Sequence, residues 1–164
     1  MTEGTSIDIE KLVADKMEKG VVDCTLCLEN RQIGDEGILK LSNLEVLAEV
    51  TCLELGENNI SDEGLHTLCN SPYIGNLKTL NLKSNNITEI GAKSIAESPN
   101  LAKLEHLILK FNRIGEMGAS HLAQSNTLTN LTTLDLFRNR IGDEGAKIIK
   151  KSSNFRGVSR MRLD

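Results

Sequence analysis

The segment LNLKSNNITEIGAKSIA, residues 80–96, changes periodicity halfway along. Leu80 and Leu82 alternate with Asn81 and Lys83, the two-residue period of a strand with one buried face. An Asn pair follows, and Gly91 then opens a stretch in which apolar residues recur at helical spacing. Nearly the same words return at Leu53, Leu107 and Leu134. A strand–turn–helix unit is being repeated, and such a repeat dictates the architecture before any other feature does.

Shifted by 27 residues, the chain superposes on itself over five units without insertion or deletion. Leu26, Leu53, Leu80, Leu107, Leu134 and Met161 form one column; Leu28, Leu55, Leu82, Leu109, Leu136 and Leu163 form another. Ile33, Ile60, Ile87, Ile114 and Ile141 mark the turn, and Gly37, Gly64, Gly91, Gly118 and Gly145 the helix opening. Leu41, Leu68, Ile95, Leu122 and Ile149 lie on the helix, and Leu47, Ile74, Leu101, Leu128 and Phe155 on the return. A lone unit cannot bury this face, because its leucines point to where the next unit must sit. Each large aliphatic side chain contributes about 1.5–3 kcal/mol when fully buried, so the columns stabilise a stack and leave a single unit unfolded.

Two polar columns carry separate expectations. Asn58, Asn85, Asn112 and Asn139 stand at the strand-to-helix turn, where buried backbone groups have no ladder partner, and a short amide can satisfy both donors and acceptors there. The first unit has Arg31 in this column, in keeping with a terminal repeat. Ser61 and Thr88 stand at helix N-cap positions, and the acidic pairs Asp62-Glu63 and Asp143-Glu144 oppose the positive end of the helix dipole. The GDEG runs look like metal loops at first sight, but capping accounts for them, and no metal site is expected.

The LxxLxLxxNxI line with its following Gly-Ala-x-x-Ile/Leu-Ala helix resembles the leucine-rich repeats of the ribonuclease-inhibitor type. The Gly-Ala openings at Gly91-Ala92 and Gly118-Ala119 are also similar to the GALA class of bacterial effector proteins. The resemblance covers residues 23–164. It implies an α/β, right-handed leucine-rich-repeat solenoid, a horseshoe arc of 27-residue repeats with parallel strands on the concave face and helices on the convex face. The expected organisation is an N-terminal helical cap over residues 1–22, five repeats over 23–157, and the strand of an incomplete sixth repeat over 158–164. Ile9, Leu12, Val13 and Met17 share one face of an amphipathic helix expected over residues 6–19. Arg160 and Arg162 project from the last strand, where charge discourages edge pairing.

Composition narrows the function. With no Trp, one Tyr and three Phe in 164 residues, the core is aliphatic and nucleic-acid base stacking is not supported. Net charge is −4, but residues 1–82 hold 6 Lys/Arg against 15 Asp/Glu while residues 83–164 hold 13 against 8. That polarity of −9 and +5 suggests a charge-complementary protein partner. No cleavable signal and no membrane span are visible, so the expected location is the cytoplasm, or a host cytosol reached without a cleavable signal. Cys24-Thr-Leu-Cys27 has the CxxC spacing of zinc and redox sites. On a strand, however, residues three apart face opposite sides, so these are expected to be reduced, separate thiols.

With the strands on the concave face, the outward positions vary freely. One row reads Cys27, Glu54, Asn81, Ile108, Asp135, Arg162; the next Glu29, Gly56, Lys83, Lys110, Phe137; the last Asn30, Glu57, Ser84, Phe111, Arg138. Two of the three Phe residues lie here without any core requirement, beside Lys and Arg, and such residues dominate binding energy at interfaces. The expected partner-binding residues are Glu54, Glu57, Lys83, Ile108, Lys110, Phe111, Asp135, Phe137 and Arg138. No catalytic triad, phosphate loop or HExxH motif is present, so neither an enzyme nor a cofactor is expected. The reading is a protein–protein interaction module, monomeric when unbound, that binds a folded partner in its concavity without engaging nucleic acid or membrane. The resemblance adds inhibition of a partner enzyme or an effector role, with a Ran-type GTPase activator or a ubiquitin-ligase adaptor fragment as alternatives.

Overall fold

The computed structural model describes residues 8–18 and 24–164, with the side chains of residues 17 and 18 outside that description. Six three-residue strands, β1 (Thr25–Cys27), β2 (Cys52–Glu54), β3 (Thr79–Asn81), β4 (His106–Ile108), β5 (Thr133–Asp135) and β6 (Arg160–Arg162), form one open sheet in chain order. All five pairings are parallel, and the register advances by the repeat itself: Leu26 opposes Leu53, Leu53 opposes Leu80, and so on to Leu134 opposite Met161. Helices α1 (Ile9–Glu18), α2 (Gly34–Leu41), α3 (Asp62–Cys69), α4 (Glu89–Glu97), α5 (Gly115–Ala123) and α6 (Gly142–Lys151) alternate with the strands. The result is the expected right-handed solenoid, with strands on the inner curve and helices on the outer one.

One core runs the length of the stack. From Leu26 to Leu136 the two strand leucine columns are buried, as are the turn isoleucines and the helical aliphatics from Leu41 to Ile149. Helices α2 to α6 approach closely through their Gly columns. A Cβ added at Gly118 would stand 3.1 Å from both the Cβ of Ala92 and the Cα of Glu89, so glycine here is a packing requirement. At the N-terminal end Ile9 and Val13 of α1 are buried and Leu12 is half-buried. Met17, expected on the same face, has its side chain outside the described residues. At the other end Val158, Met161 and Leu163 are half-buried.

The Asn column does what its chemistry predicts. Asn85 Oδ1 accepts the backbone N–H groups of Asn58 (3.1 Å) and Ile60 (3.0 Å) in the preceding repeat. Its Nδ2 donates to the carbonyls of Leu55 and Leu82, both at 3.0 Å. Asn112 repeats the pattern one layer on, taking Asn85 N–H (3.2 Å) and Ile87 N–H (3.1 Å) and donating to Leu82 and Leu109. After Asn139 the carboxylate of Asp164 takes over, accepting Asn139 N–H at 2.8 Å and Ile141 N–H at 2.7 Å. A second ladder, of serine, runs along the helix ends: Ser71, Ser98, Ser125 and Ser152 each donate Oγ–H to a carbonyl of the preceding repeat at 2.6–2.7 Å. Among the described residues no buried side-chain polar atom lacks a partner.

The caps divide into two kinds. Ser61 and Thr88 accept N–H groups in the first turns of α3 and α4, as expected. The acidic residues before them do more than oppose the dipole. Asp35 accepts the N–H (2.8 Å) and Oγ–H (2.5 Å) of Ser61, and Asp62 those of Thr88 (2.8 and 2.6 Å), each across a repeat boundary. Helices α2, α5 and α6 have no side-chain cap and enter through Gly34, Gly115 and Gly142 at φ 58–65°. There the left-handed backbone that glycine tolerates does the turning. The CxxC expectation is corrected in one respect: Cys24 precedes β1 with φ 55°, so strand parity does not govern it. All four cysteines are free thiols.

Removing one Asn amide strands groups in two repeats at once. Asn112→Ala should cost at least about 3 kcal/mol, since each orphaned buried donor or acceptor costs about 1–3 kcal/mol. Asn112→Asp, which keeps the acceptor, should cost less. Urea unfolding of the three proteins checks this, and equal stability of Asn112→Ala and wild type would refute the ladder's role.

Candidate functional site

The concave surface has three outward rows set by strand alternation. The first is Thr25, Cys52, Thr79, His106, Thr133 and Arg160, the next is Cys27 through Arg162, and the third runs from Glu29 to Phe137 just past the strands. A further row, Asn30, Glu57, Ser84, Phe111 and Arg138, adopts φ between 53° and 61° in every repeat. In that left-handed conformation the chain turns away from the sheet direction immediately after each strand. L-residues adopt it at a cost of about 1–2 kcal/mol each.

The nine residues expected to bind a partner separate into two groups. Glu54, Glu57 and Lys83 belong to the N-terminal end. Lys83 extends over Gly56, where a Cβ would stand 2.8 Å from Lys83 Cγ. It ion-pairs with Glu29 two strands away and with Glu57 at 3.5 Å. Glu54 accepts from Asn81 Nδ2 at 2.5 Å. The charges of this end therefore answer one another, and Gly56 is the groove that lets them meet. The hydrogen bond that Lys83 donates to Glu29, with the Glu29 and Glu57 charges, holds its ammonium above the ordinary lysine range.

Ile108, Lys110, Phe111, Asp135, Phe137 and Arg138 gather at the C-terminal end. Phe111 and Phe137 meet edge to face, with centroids 6.0 Å apart and planes at 79°. The Arg138 guanidinium lies 5.6 Å from one ring and 5.5 Å from the other, Lys110 Nζ is 6.0 Å from Phe111, and Arg162 lies 4.9 Å from Phe137. These are cation–π distances. Phe111 is 41% exposed, so it is a surface ring held by its neighbours. Asp135 sits beneath the cluster at 8% exposure. Its carboxylate accepts Phe137 N–H at 3.1 Å and lies 3.6 Å from Arg162, which makes it a support for the rings.

Two features escaped the sequence reading. Arg162, read as an edge-blocking charge, folds back over Phe137; its place in the Ile108–Asp135 row was the available signal. Arg113 and Arg140 join Phe111, Asn112, Arg138 and Asp164 around an open hollow of about 490 Å³. His106 has Thr133 Oγ1 3.0 Å from its Nδ1. Among the described residues no group of three or more His, Cys, Asp and Glu could hold a metal ion, and no helix is long and apolar enough to cross a membrane.

Two predictions follow from this chemistry. A lysine pKa raised on folding adds stability that is full below the unfolded-state value and disappears as pH rises through the folded one. Glu29→Gln should therefore lower the Lys83 titration midpoint read by side-chain NMR, and an unmoved midpoint would show that the ion pair does not form. Burial pushes the Cys69 thiol up to about 12, and burial with Glu54 raises Cys52. Cys24 and Cys27 are exposed, so both should react with a thiol reagent at neutral pH. Cys52 should follow more slowly, and Cys69 should react only on unfolding.

Comparison with known proteins agrees with this geometry. A family model described as Leucine Rich repeat matches residues 50–69, 76–96, 100–123 and 127–149, together more than half of the chain. Among solved structures, the chain is similar to an internalin from Listeria monocytogenes strain 4b F2365, with 32% identity and a TM-score of 0.54. The match covers 76% of this chain and 31% of the internalin, so the chain spans under a third of that protein's length. A search of curated protein sequences finds no significant match. The matched repeats, the constant register and the single aliphatic core place the chain in the leucine-rich repeat family.

Proposed function

We propose that the chain is a non-catalytic protein-binding module that docks a folded partner against the C-terminal half of its concave face. One observation carries the proposal: two Phe rings packed edge to face and flanked by Lys110, Arg138 and Arg162 stand on a surface where the core requires none of them. Aromatic and Arg side chains supply most of the energy at protein interfaces. Here they are already held against one another, which lowers the ordering cost of binding. The parallel strands and buried Asn column make the inner face rigid, so docking proceeds with little rearrangement.

The site contains recognition groups and no reacting centre, which supports action by occlusion, with the bound partner's own surface blocked. An effector role inside a host cytosol is supported by the resemblance of the Gly-Ala helix openings to bacterial effector repeats. The unbound chain is proposed to be monomeric.

The test is affinity capture from lysates of the source organism and of a host, with wild-type chain and with Phe137→Ala combined with Lys110→Glu as baits. At about 2 kcal/mol or more for a hot-spot residue, the double variant should lose partner affinity by about thirtyfold or more. Circular dichroism should show it as folded as wild type. Capture by the folded variant at wild-type strength would remove the patch from consideration.

A further inference from the structure

Resting on the reading of the concave face as a protein-binding surface, we infer that its partner presents an acidic segment, carboxylates interleaved with apolar side chains, to β4–β6. Four observations converge on this chemistry. The first is a contrast in pairing. Lys83 at the N-terminal end answers two glutamates, whereas among the described residues neither Lys110 nor Arg138 is ion-paired. The second concerns the acids nearby. Asp135 is engaged with Phe137 N–H and Arg162, and Asp164 with two backbone N–H groups; both keep their charge, but Lys110, Arg113, Arg138, Arg140 and Arg162 outnumber them.

The third observation is the hollow beside Phe111. Three arginines, Arg113, Arg138 and Arg140, contribute to its lining, and its one acidic residue is that same occupied Asp164. Planar guanidinium groups bind carboxylates with two parallel hydrogen bonds, the strong and geometrically specific kind. The fourth is the position of the cations against aromatic rings. Phe111 and Phe137 leave apolar surface between charged heads, which suits a segment that alternates charge with bulk. Nucleic acid is the competing class, because its phosphates also meet arginine. It is disfavoured because the two rings pack edge to face against each other and offer no parallel platform on which successive bases stack.

The inference is tested by titrating isotope-labelled full chain with short peptides while following backbone amide shifts. One peptide alternates Asp and Glu with Leu and Phe; its counterpart carries Asn and Gln in place of the acids. The acidic peptide should shift the amides of residues 108–111 and 135–138. Neutralising the peptide, or changing Lys110→Glu with Arg138→Glu in the protein, should weaken binding by about tenfold or more. The variant's own amide spectrum reports whether it is folded.

Equal binding of the neutral peptide at the same amides would overturn the acidic partner while leaving the concave face as the binding surface. Shifts confined to α6, which carries Lys147, Lys150 and Lys151, would overturn the concave reading as well. An oligouridine that binds more tightly than the acidic peptide at residues 108–111 and 135–138 would reassign the patch to nucleic acid. Failure of both peptides to bind would overturn the inference.

Discussion

The structure depends on one constraint: a repeat cannot satisfy its own backbone. Each turn after a strand buries N–H and C=O groups that no strand or helix can pair, and the amide that pairs them belongs partly to the next layer. Asn85 holds carbonyls of its own and the preceding repeat while accepting two N–H groups of that preceding repeat. Asp35 and Asp62 carry the same logic to the helix starts, and the serine ladder carries it to the helix ends. Leucine columns supply the driving force for stacking, but apolar contact is nondirectional. The polar ladders fix the register in which the leucines meet.

That register gives the concave surface its character. Because every strand opposes its neighbour at the same residue, side chains 27 apart stand side by side, and a row of the sequence becomes a row on the surface. The N-terminal rows place Glu29, Gly56 and Lys83 in line, and the lysine crosses the glycine to reach the acid. The C-terminal rows place Phe and Arg in line, and they stack. One geometric rule therefore yields a self-answered charge network at one end and a cation-rich aromatic cluster at the other. The same regularity admits departures on the outer curve. Ile90 and Met117, adjacent in a column otherwise filled by Glu36, Glu63 and Glu144, are 62% and 61% exposed.

Much of the fold was legible because its signal is periodic. Leu80 alone is ambiguous, but with Leu53 and Leu107 at one offset it identifies a strand position, and the Asn column identifies the turn that follows. The three-residue strands would have been weak signals singly. Cys24 illustrates where periodicity stops: it was assigned to a strand by extension, and its φ of 55° puts it outside. The split among helix starts was also hidden. Ser61 and Thr88 announce a cap, whereas Gly34, Gly115 and Gly142 announce only freedom, and the left-handed turn they make appears only in the backbone.

What the amino-acid order determined by itself is the unit, its length, its buried columns and which side chains line the inner curve, because those follow from spacing along one chain. Tertiary structure decided which neighbours those side chains choose. Whether Lys83 joins the basic end or answers Glu29, whether Asp135 faces a partner or meets Arg162, and whether Arg162 guards an edge or covers a ring all turn on distances between residues about 25 to 55 apart in sequence. Those distances exist only once the layers stack, and electrostatic and ring contacts act across a few ångströms of space without regard to position along the chain.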